Sequence, residues 1–158
     1  MLSFLDPDPY HDARLGTFRR HRGRWVGTLE LAPHGSVELR IAGGRKAPAP
    51  ESLAAAASLA TQYAALNAHV ATALYDHYQP GWEAWKSGEL GRLVESFPEL
   101  TTAADVWANV RVTWVDLDLA RREYPIEIRM TVAWDEEHTL GVRMAGTRLV
   151  ELCGSVGT

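Results

Sequence analysis

The central part of the chain constrains the fold most, because a long helical pattern there separates two stretches that have the pattern of β-strands. From Glu51 the sequence is rich in alanine, and apolar residues recur at intervals of three and four as far as Tyr78. This spacing predicts one long α-helix with an apolar face, which we expect Pro80-Gly81 to end. The apolar face comprises Leu59, Tyr63, Leu66, Val70, Leu74 and Tyr78, and a polar stripe carries Gln62, His69 and Asp76.

The flanking stretches alternate apolar and polar residues with the period of two that is typical of strands. Residues 15–41 predict three strands, with turns at Arg22-Gly23 and at Pro33-His34-Gly35, and residues 43–50 form a linker. After the helix, four further strands are predicted at 111–119, 126–134, 140–144 and 148–153. The first of these four has an apolar side that switches midway, which indicates a β-bulge.

Together these patterns predict an α+β fold without βαβ alternation. We expect an antiparallel sheet, or two, of about seven strands, three N-terminal and four C-terminal, packed on one long central helix. One or two short helices are expected as well, one near 90–94 and one at 103–109 with Thr102 as its N-cap. The chain is interpreted as a single domain, 1–158, with an extended N-terminal segment at 1–14 and the α+β domain at 15–158.

Composition excludes several classes of protein. The chain has 158 residues, 46% of them hydrophobic, a net charge of -4 and one cysteine. A disulfide-built miniprotein, a four-cysteine zinc ribbon and a disordered chain are therefore ruled out. We interpret Cys153 as a small buried core residue. The sequence shows neither a signal peptide nor a membrane segment, which predicts a cytoplasmic protein that does not contact membranes.

The acidic run at 135–138 is the densest local group of candidate catalytic or metal-binding side chains. It lies between two predicted strands, and we interpret it as a polar, solvated link. The alternative is a small metal-dependent or hydrolytic enzyme that uses Asp135, Glu137 and His138 with His77 or His69. Since no P-loop, nucleophile elbow or zinc-protease motif occurs, the sequence favours a non-enzymatic role without cofactor or metal.

Basic residues are concentrated near the N-terminus. Residues 1–46 carry eight basic and five acidic side chains, whereas residues 47–158 carry eight and fifteen. The cluster at the first hairpin consists of Arg19, Arg20, Arg22 and Arg24. It is open to three interpretations: a solvated edge hairpin, a docking patch for an acidic protein, or a nucleic-acid site. The isoelectric point of about 5.8 argues against nucleic acid.

The six tryptophans divide into two groups. Trp25, Trp107, Trp114 and Trp134 fall within predicted strands or a helix and are expected in the core. Trp82 and Trp85 follow Pro80-Gly81, and they either pack across the junction or anchor a protein partner.

Two segments resemble a group of uncharacterised bacterial domains of unknown function. They are Ala73 to Tyr78 and the C-terminal stretch Trp134-Asp135-Glu136-Glu137-His138-Thr139-Leu140-Gly141, which continues to Val156. The resemblance extends from about Leu15 onward and implies no known activity or catalytic residue. Some similar small α+β proteins act as immunity proteins beside secreted toxins.

From these observations, we expect a non-enzymatic domain that binds another protein, with an immunity-type role as one form of this binding. An unpaired edge strand would also allow a homodimer.

Overall fold

A computed structural model describes residues 7–157 and has eight strands in one sheet, arranged side by side in chain order. The strands are β1 (Tyr10–Asp12), β2 (Gly16–His21), β3 (Arg24–Glu30), β4 (Ser36–Ile41), β5 (Val110–Leu117), β6 (Ile126–Val132), β7 (Asp135–Ala145) and β8 (Arg148–Cys153). The predicted α+β class is confirmed. One more strand is present than expected, because β1 falls in the segment that was predicted to be merely extended. Residues 1–6 of that segment lie outside the described part of the chain.

All neighbouring strands are antiparallel except β4 and β5, which are parallel. The long helix α1 (Pro50–Lys86) lies between them in the chain and returns it to the end of the sheet from which β4 started. The sheet therefore contains one βαβ crossover, which the sequence did not predict, although the chain shows no βαβ alternation. Parallel strands need such a connection, and α1 provides it.

Helix α1 does not end at Pro80-Gly81, as the sequence predicted, but continues to Lys86. A proline inside a helix removes one backbone hydrogen bond and costs about 3 kcal/mol. Aromatic packing on both sides of Pro80 opposes that cost. Tyr78 stacks on Trp82 with 6.2 Å between the ring centroids, and Trp82 stacks on Trp85 at 5.5 Å.

The core lies between α1 and one face of the sheet, here called the inner face. Fully buried side chains from both ends of the chain meet there. They include Phe18, Trp25, Leu29, Leu39, Tyr63, Leu74, Tyr78, Leu117, Ile128 and Met130. None of the helices described within residues 7–157 is apolar enough over a sufficient length to cross a membrane.

Both short helices that the sequence predicted are present, as 3-10 helices. A 3-10 helix spans Ala103–Asn109, and the Asp105 carboxylate caps it by accepting the N–H groups of Thr101 and Thr102 at 2.9 and 2.7 Å. A second 3-10 helix spans Gly91–Leu93. The predicted bulge of β5 is confirmed by a shift in register between Val112 and Trp114.

The acidic run at 135–138 is not a link between strands, as expected, but the beginning of β7. Val132 pairs with Asp135, so the connection from β6 consists of only Ala133 and Trp134. Trp134 in this turn is apolar and buried, so the turn lacks the polar residues from which a sequence pattern predicts a turn.

The opposite face of the sheet, here called the outer face, is not covered by any helix among residues 7–157. Trp114 lies on this face and is half-buried, so the expectation that it belongs to the core is wrong. Cys153 is opposite Gly141 and is also only half-buried, again in contrast to the prediction. Both errors have one cause: alternation along a strand shows which residues share a face, but it does not show which face the helix covers.

Candidate functional site

The β2–β3 hairpin and β4 form a cleft of about 300 Å³ with a basic wall, here called the basic cleft. Its lining comprises His21, Arg22, Arg24, Val26, Glu38 and Arg40. The strand register brings these residues together on the outer face, since Val26 is opposite Arg40 and Thr28 is opposite Glu38.

Two of the arginines in the basic cleft are held by neighbouring side chains. Arg24 forms ion pairs with Asp116 and with Asp118, the latter at 3.3 Å. The guanidinium of Arg40 lies 4.0 Å from the ring centroid of Trp114, and the guanidinium of Arg129 is 4.8 Å from the same ring. Cation–π contacts and ion pairs of this kind restrict the guanidinium groups to defined positions.

The turn of the hairpin places Arg22 at the rim of the basic cleft. Arg22 has φ 47° and Gly23 has φ 80°, and two consecutive positive φ angles are typical of the tight turn that suits twisted hairpins. Arg22 is exposed, and so is Arg19, which is opposite Val26 on the same face. These two cations are therefore available to a partner.

The fourth predicted arginine, Arg20, points away from the basic cleft. It is opposite the fully buried Trp25, and its guanidinium donates to the carbonyl of Gly44 at 3.4 Å. The Trp25 indole N–H donates to that same carbonyl at 2.9 Å. Arg20 thus fastens the linker after β4.

Sequence reasoning missed Arg40 and Trp114 as part of this region. Arg40 is 16 or more residues from the arginines of the hairpin, and only the β3–β4 register joins them. The alternation along β4, which puts Arg40 on the same side as Glu38, was the available signal.

The predicted residues of the acidic run lie at the other end of the sheet, close to His77. The Asp135 carboxylate is 2.8 Å from Nδ1 of His138. The Trp134 indole N–H donates to Nδ1 of His77 at 3.1 Å, which leaves the proton of a neutral His77 on Nε2. Asp135 and Glu137 also border a cleft of about 550 Å³, whose other residues are Leu90, Val94, Glu95, Ser96, Phe97, Ala133, Trp134 and Glu136.

Of the other histidines offered for the enzyme site, His77 lies beside this pair through its contact with Trp134, whereas His69 is not assembled with it. His69 lines a separate groove with Met144 and Leu149, away from the acidic run. Within residues 7–157, no group of three or more histidine, cysteine, aspartate or glutamate side chains is arranged to hold a metal ion. Of the predicted set, the structure directly joins Asp135 and His138.

Burial lowers the pKa of two histidines. The main cause for both His34 and His77 is loss of hydration; the nearby Asp135 partly offsets it for His77, and His138 adds to it. His34 also lies 3.0 Å from the Tyr63 hydroxyl and 3.2 Å from the Asn67 side-chain oxygen.

We therefore expect the protein to become less stable as the pH falls below about 6.5, the pKa of histidine in an unfolded chain. A lowered folded-state pKa means that the unfolded chain binds protons first, so the stabilisation is complete above that pH and is lost below it. Urea unfolding at a series of pH values measures the effect. His34→Gln should make the free energy of unfolding less dependent on pH below about 6.5. If H34Q shows the same pH dependence as the unaltered protein, the role of His34 is contradicted. His11→Gln, at an exposed histidine, is the matched control.

A buried acidic side chain on the outer face was not predicted. The Glu127 side chain is only 3% exposed, although its place in β6 alternates with apolar residues that face the helix. Its carboxylate accepts hydrogen bonds from Nε of Arg129 at 3.0 Å and from Nε of Arg143 at 2.8 Å. The hydrogen bond from Arg143 to Glu127, together with its bond to Glu151, raises the pKa of Arg143.

The C-terminal segment covers Glu127. The backbone N–H of Val156 donates to the carbonyl of Thr139 at 2.9 Å, and Arg129 donates to the carbonyl of Gly157. A Cβ atom on Gly141 would lie 2.7 Å from the Val156 side chain and 3.1 Å from the Glu127 carboxyl carbon. Gly141 thus provides the space in which this segment closes over the ion pairs.

Trp82 and Trp85, the two predicted partner anchors, stack in a cluster with Phe97. Each ring centroid is 6.3 Å from that of Phe97. The Trp85 indole also donates to the carbonyl of Val94 at 3.3 Å. The cluster therefore fastens the segment after α1 to the helix; whether it also binds a partner stays a prediction.

A protein-family model, the domain of unknown function DUF6985, matches residues 15–157. The chain belongs to this family. The match starts where the resemblance was expected to start and includes both segments that suggested it, so the recognition of a family of unknown function is confirmed. No curated protein and no solved structure matches the chain. For DUF6985, the geometry of the chain itself is consequently the main guide to function.

Proposed function

We propose that this DUF6985 chain is a non-enzymatic, cytoplasmic protein-binding domain, whose basic cleft receives acidic side chains of another protein. The observation that carries the proposal is the cleft itself, where Arg22, Arg24 and Arg40 converge on the outer face of the sheet. Guanidinium groups suit this role because they bind carboxylates through two parallel hydrogen bonds.

The immobilisation of the cleft supports binding of a folded or extended protein partner. Arg24 and Arg40 are already oriented by Asp116, Asp118 and Trp114, so less side-chain entropy is lost on binding. Arg19 and Arg22 add exposed charge at the rim, which accelerates encounter with an acidic surface. An immunity-type role, in which the acidic surface belongs to a toxin, is one form of this proposal.

The charge distribution favours protein over nucleic acid as the partner. Arg24 is paired with two aspartates, and Arg40 is paired with Glu38 at 2.5 Å. The exposed Arg19 and Arg22 therefore carry most of the uncompensated charge, which is too little for a run of successive phosphates. The carboxylates of a short acidic segment can be bound by these two exposed guanidinium groups at the rim of the oriented cleft.

The binding test uses a labelled ten-residue glutamate peptide and a DNA duplex as probes. Charge reversal in the double variant Arg19→Glu/Arg22→Glu should raise the dissociation constant of the peptide roughly tenfold, because two attractive side chains become repulsive. Arg92→Glu/Arg111→Glu, which replaces two exposed arginines outside the basic cleft, is the control with the same change in net charge. Fluorescence anisotropy at fixed salt provides the measurement.

Equal loss of binding in the control and the double variant would contradict a specific site. Tighter, strongly salt-dependent binding of the duplex would overturn the choice of partner in favour of nucleic acid.

The metal-dependent or hydrolytic alternative has one observation in its favour, the contact between Asp135 and His138. A carboxylate in this position orients an imidazole, as in acid–base catalysis. A rise in melting temperature with Zn²⁺ or Mn²⁺, abolished by His138→Gln, would favour this alternative over the binding domain.

A further inference from the structure

The last strand of the sheet, β8, is paired on one side only. It is antiparallel to β7, and no other strand among residues 7–157 pairs with it. Val150 on β8 is 37% exposed, at a place where the register between β7 and β8 shifts. The free backbone groups of an edge strand readily form a ladder with another strand.

A groove of about 500 Å³ runs beside this edge, between β8 and the middle of α1. Its apolar lining comprises Leu66, Val70, Ala73, Met144 and Leu149. The helix side of the groove also carries His69, Thr72 and Asp76 at intervals of three and four, so these residues form one stripe along α1. The groove therefore has a polar helical rim beside an unpaired strand.

We propose that two copies of the chain associate through this edge, with β8 antiparallel to β8 of the second copy. A two-fold axis perpendicular to the sheet makes the two sheets continuous and places the two α1 helices antiparallel on the same side. An interface of this kind uses the same surface twice and must be self-complementary.

The strand layer of the edge meets this requirement. Arg148 and Glu151 lie on the same face of β8, because they pair with Ala145 and Arg143, which are two residues apart on β7. With the axis between Leu149 and Val150, Arg148 of each copy is opposite Glu151 of the other. Opposite charges in such cross-strand positions stabilise pairing, and like charges oppose it.

The helix α1 meets the requirement of self-complementarity independently of the strand. With the axis between Thr72 and Ala73, His69 of one helix faces Asp76 of the other, again twice. Ala73 and Leu149 line the same groove, so the axis that suits the strand layer passes close to the one that suits the helix layer. A peptide from another protein would not require either pattern, and for this reason the second copy is the occupant.

Sedimentation equilibrium over a range of concentrations tests the dimer, with the purified full chain as the sample. Arg148→Glu should raise the dissociation constant of the dimer roughly tenfold, since two ion pairs become two repulsions. The double variant Arg148→Glu/Glu151→Arg should restore dimerisation, because the exchange keeps both pairs across the two-fold axis complementary, although each copy gives up the exposed contact between Arg143 and Glu151. Arg92→Glu controls for the change in net charge, and circular dichroism confirms folding of each variant.

A chain that stays monomeric at high micromolar concentration would overturn the proposal, as would a dimer that Arg148→Glu leaves unchanged. Failure of the double variant to restore association, when it remains folded, would also count against this pairing. The dimer does not depend on the basic cleft, so either proposal can fail alone.

Discussion

Glu127→Gln is expected to lower the free energy of unfolding by roughly 3–5 kcal/mol, the range measured when one partner of a buried ion pair is removed. The substitution preserves the size of the side chain but removes the charge that Arg129 and Arg143 share. The side chains of these two arginines are only 18% and 21% exposed, so water replaces the lost interaction poorly. Urea or guanidinium denaturation gives the free energy.

Glu151 provides the matched control for this prediction. It accepts a hydrogen bond from the same Arg143 at 2.7 Å, but its side chain is 52% exposed. Glu151→Gln should therefore cost less than about 1 kcal/mol. If E127Q and E151Q lose the same small amount, burial does not govern the strength of the network and the interpretation fails.

Trp82→Ala is expected to destabilise the protein by roughly 3 kcal/mol, toward the lower end of the range for removing a packed aromatic side chain. Trp82 contacts Tyr78, Trp85 and Phe97, and it is half-buried rather than fully buried. Its loss should loosen the segment after α1 as well as the last turns of the helix. Thermal or chemical unfolding, followed by tryptophan fluorescence and circular dichroism, measures the change.

Two variants separate packing from exposure in this prediction. Trp82→Phe keeps an aromatic ring and should lose less than half as much stability, whereas the exposed Leu119→Ala should be almost neutral. A W82A protein as stable as the L119A protein would show that the cluster contributes no packing energy and would favour the interpretation of Trp82 as a partner anchor.

Much of the fold could be read from periodicity, since the spacing of apolar residues is a local property. The strands on either side of α1 and the bulge in β5 follow from it. Pro80 shows where local reasoning fails. Its helix-breaking effect is real, but the stacking of Tyr78, Trp82 and Trp85 around it depends on how the helix packs.

The same distinction between local and long-range contacts applies to the candidate sites. The arginines of the hairpin and the pair Asp135 and His138 are close in sequence, so reasoning from the sequence found them. Arg40 and Trp114 join the hairpin arginines only because the strands bring distant residues together. His77 was named as a candidate, but only the fold shows that Trp134 connects it to the acidic run. Sequence separation conceals such contacts when one chain is considered without its fold.

By itself, the sequence determined the α+β class, the family and the two groups of charge, because composition and side-chain period act locally. The tertiary structure decided which face of the sheet α1 covers. That choice left Trp114 and Cys153 only half-buried on the outer face, and it buried Glu127 between two arginines beneath the C-terminal segment. A strand with two different faces can be packed either way round, and the energy of the whole core selects one of them.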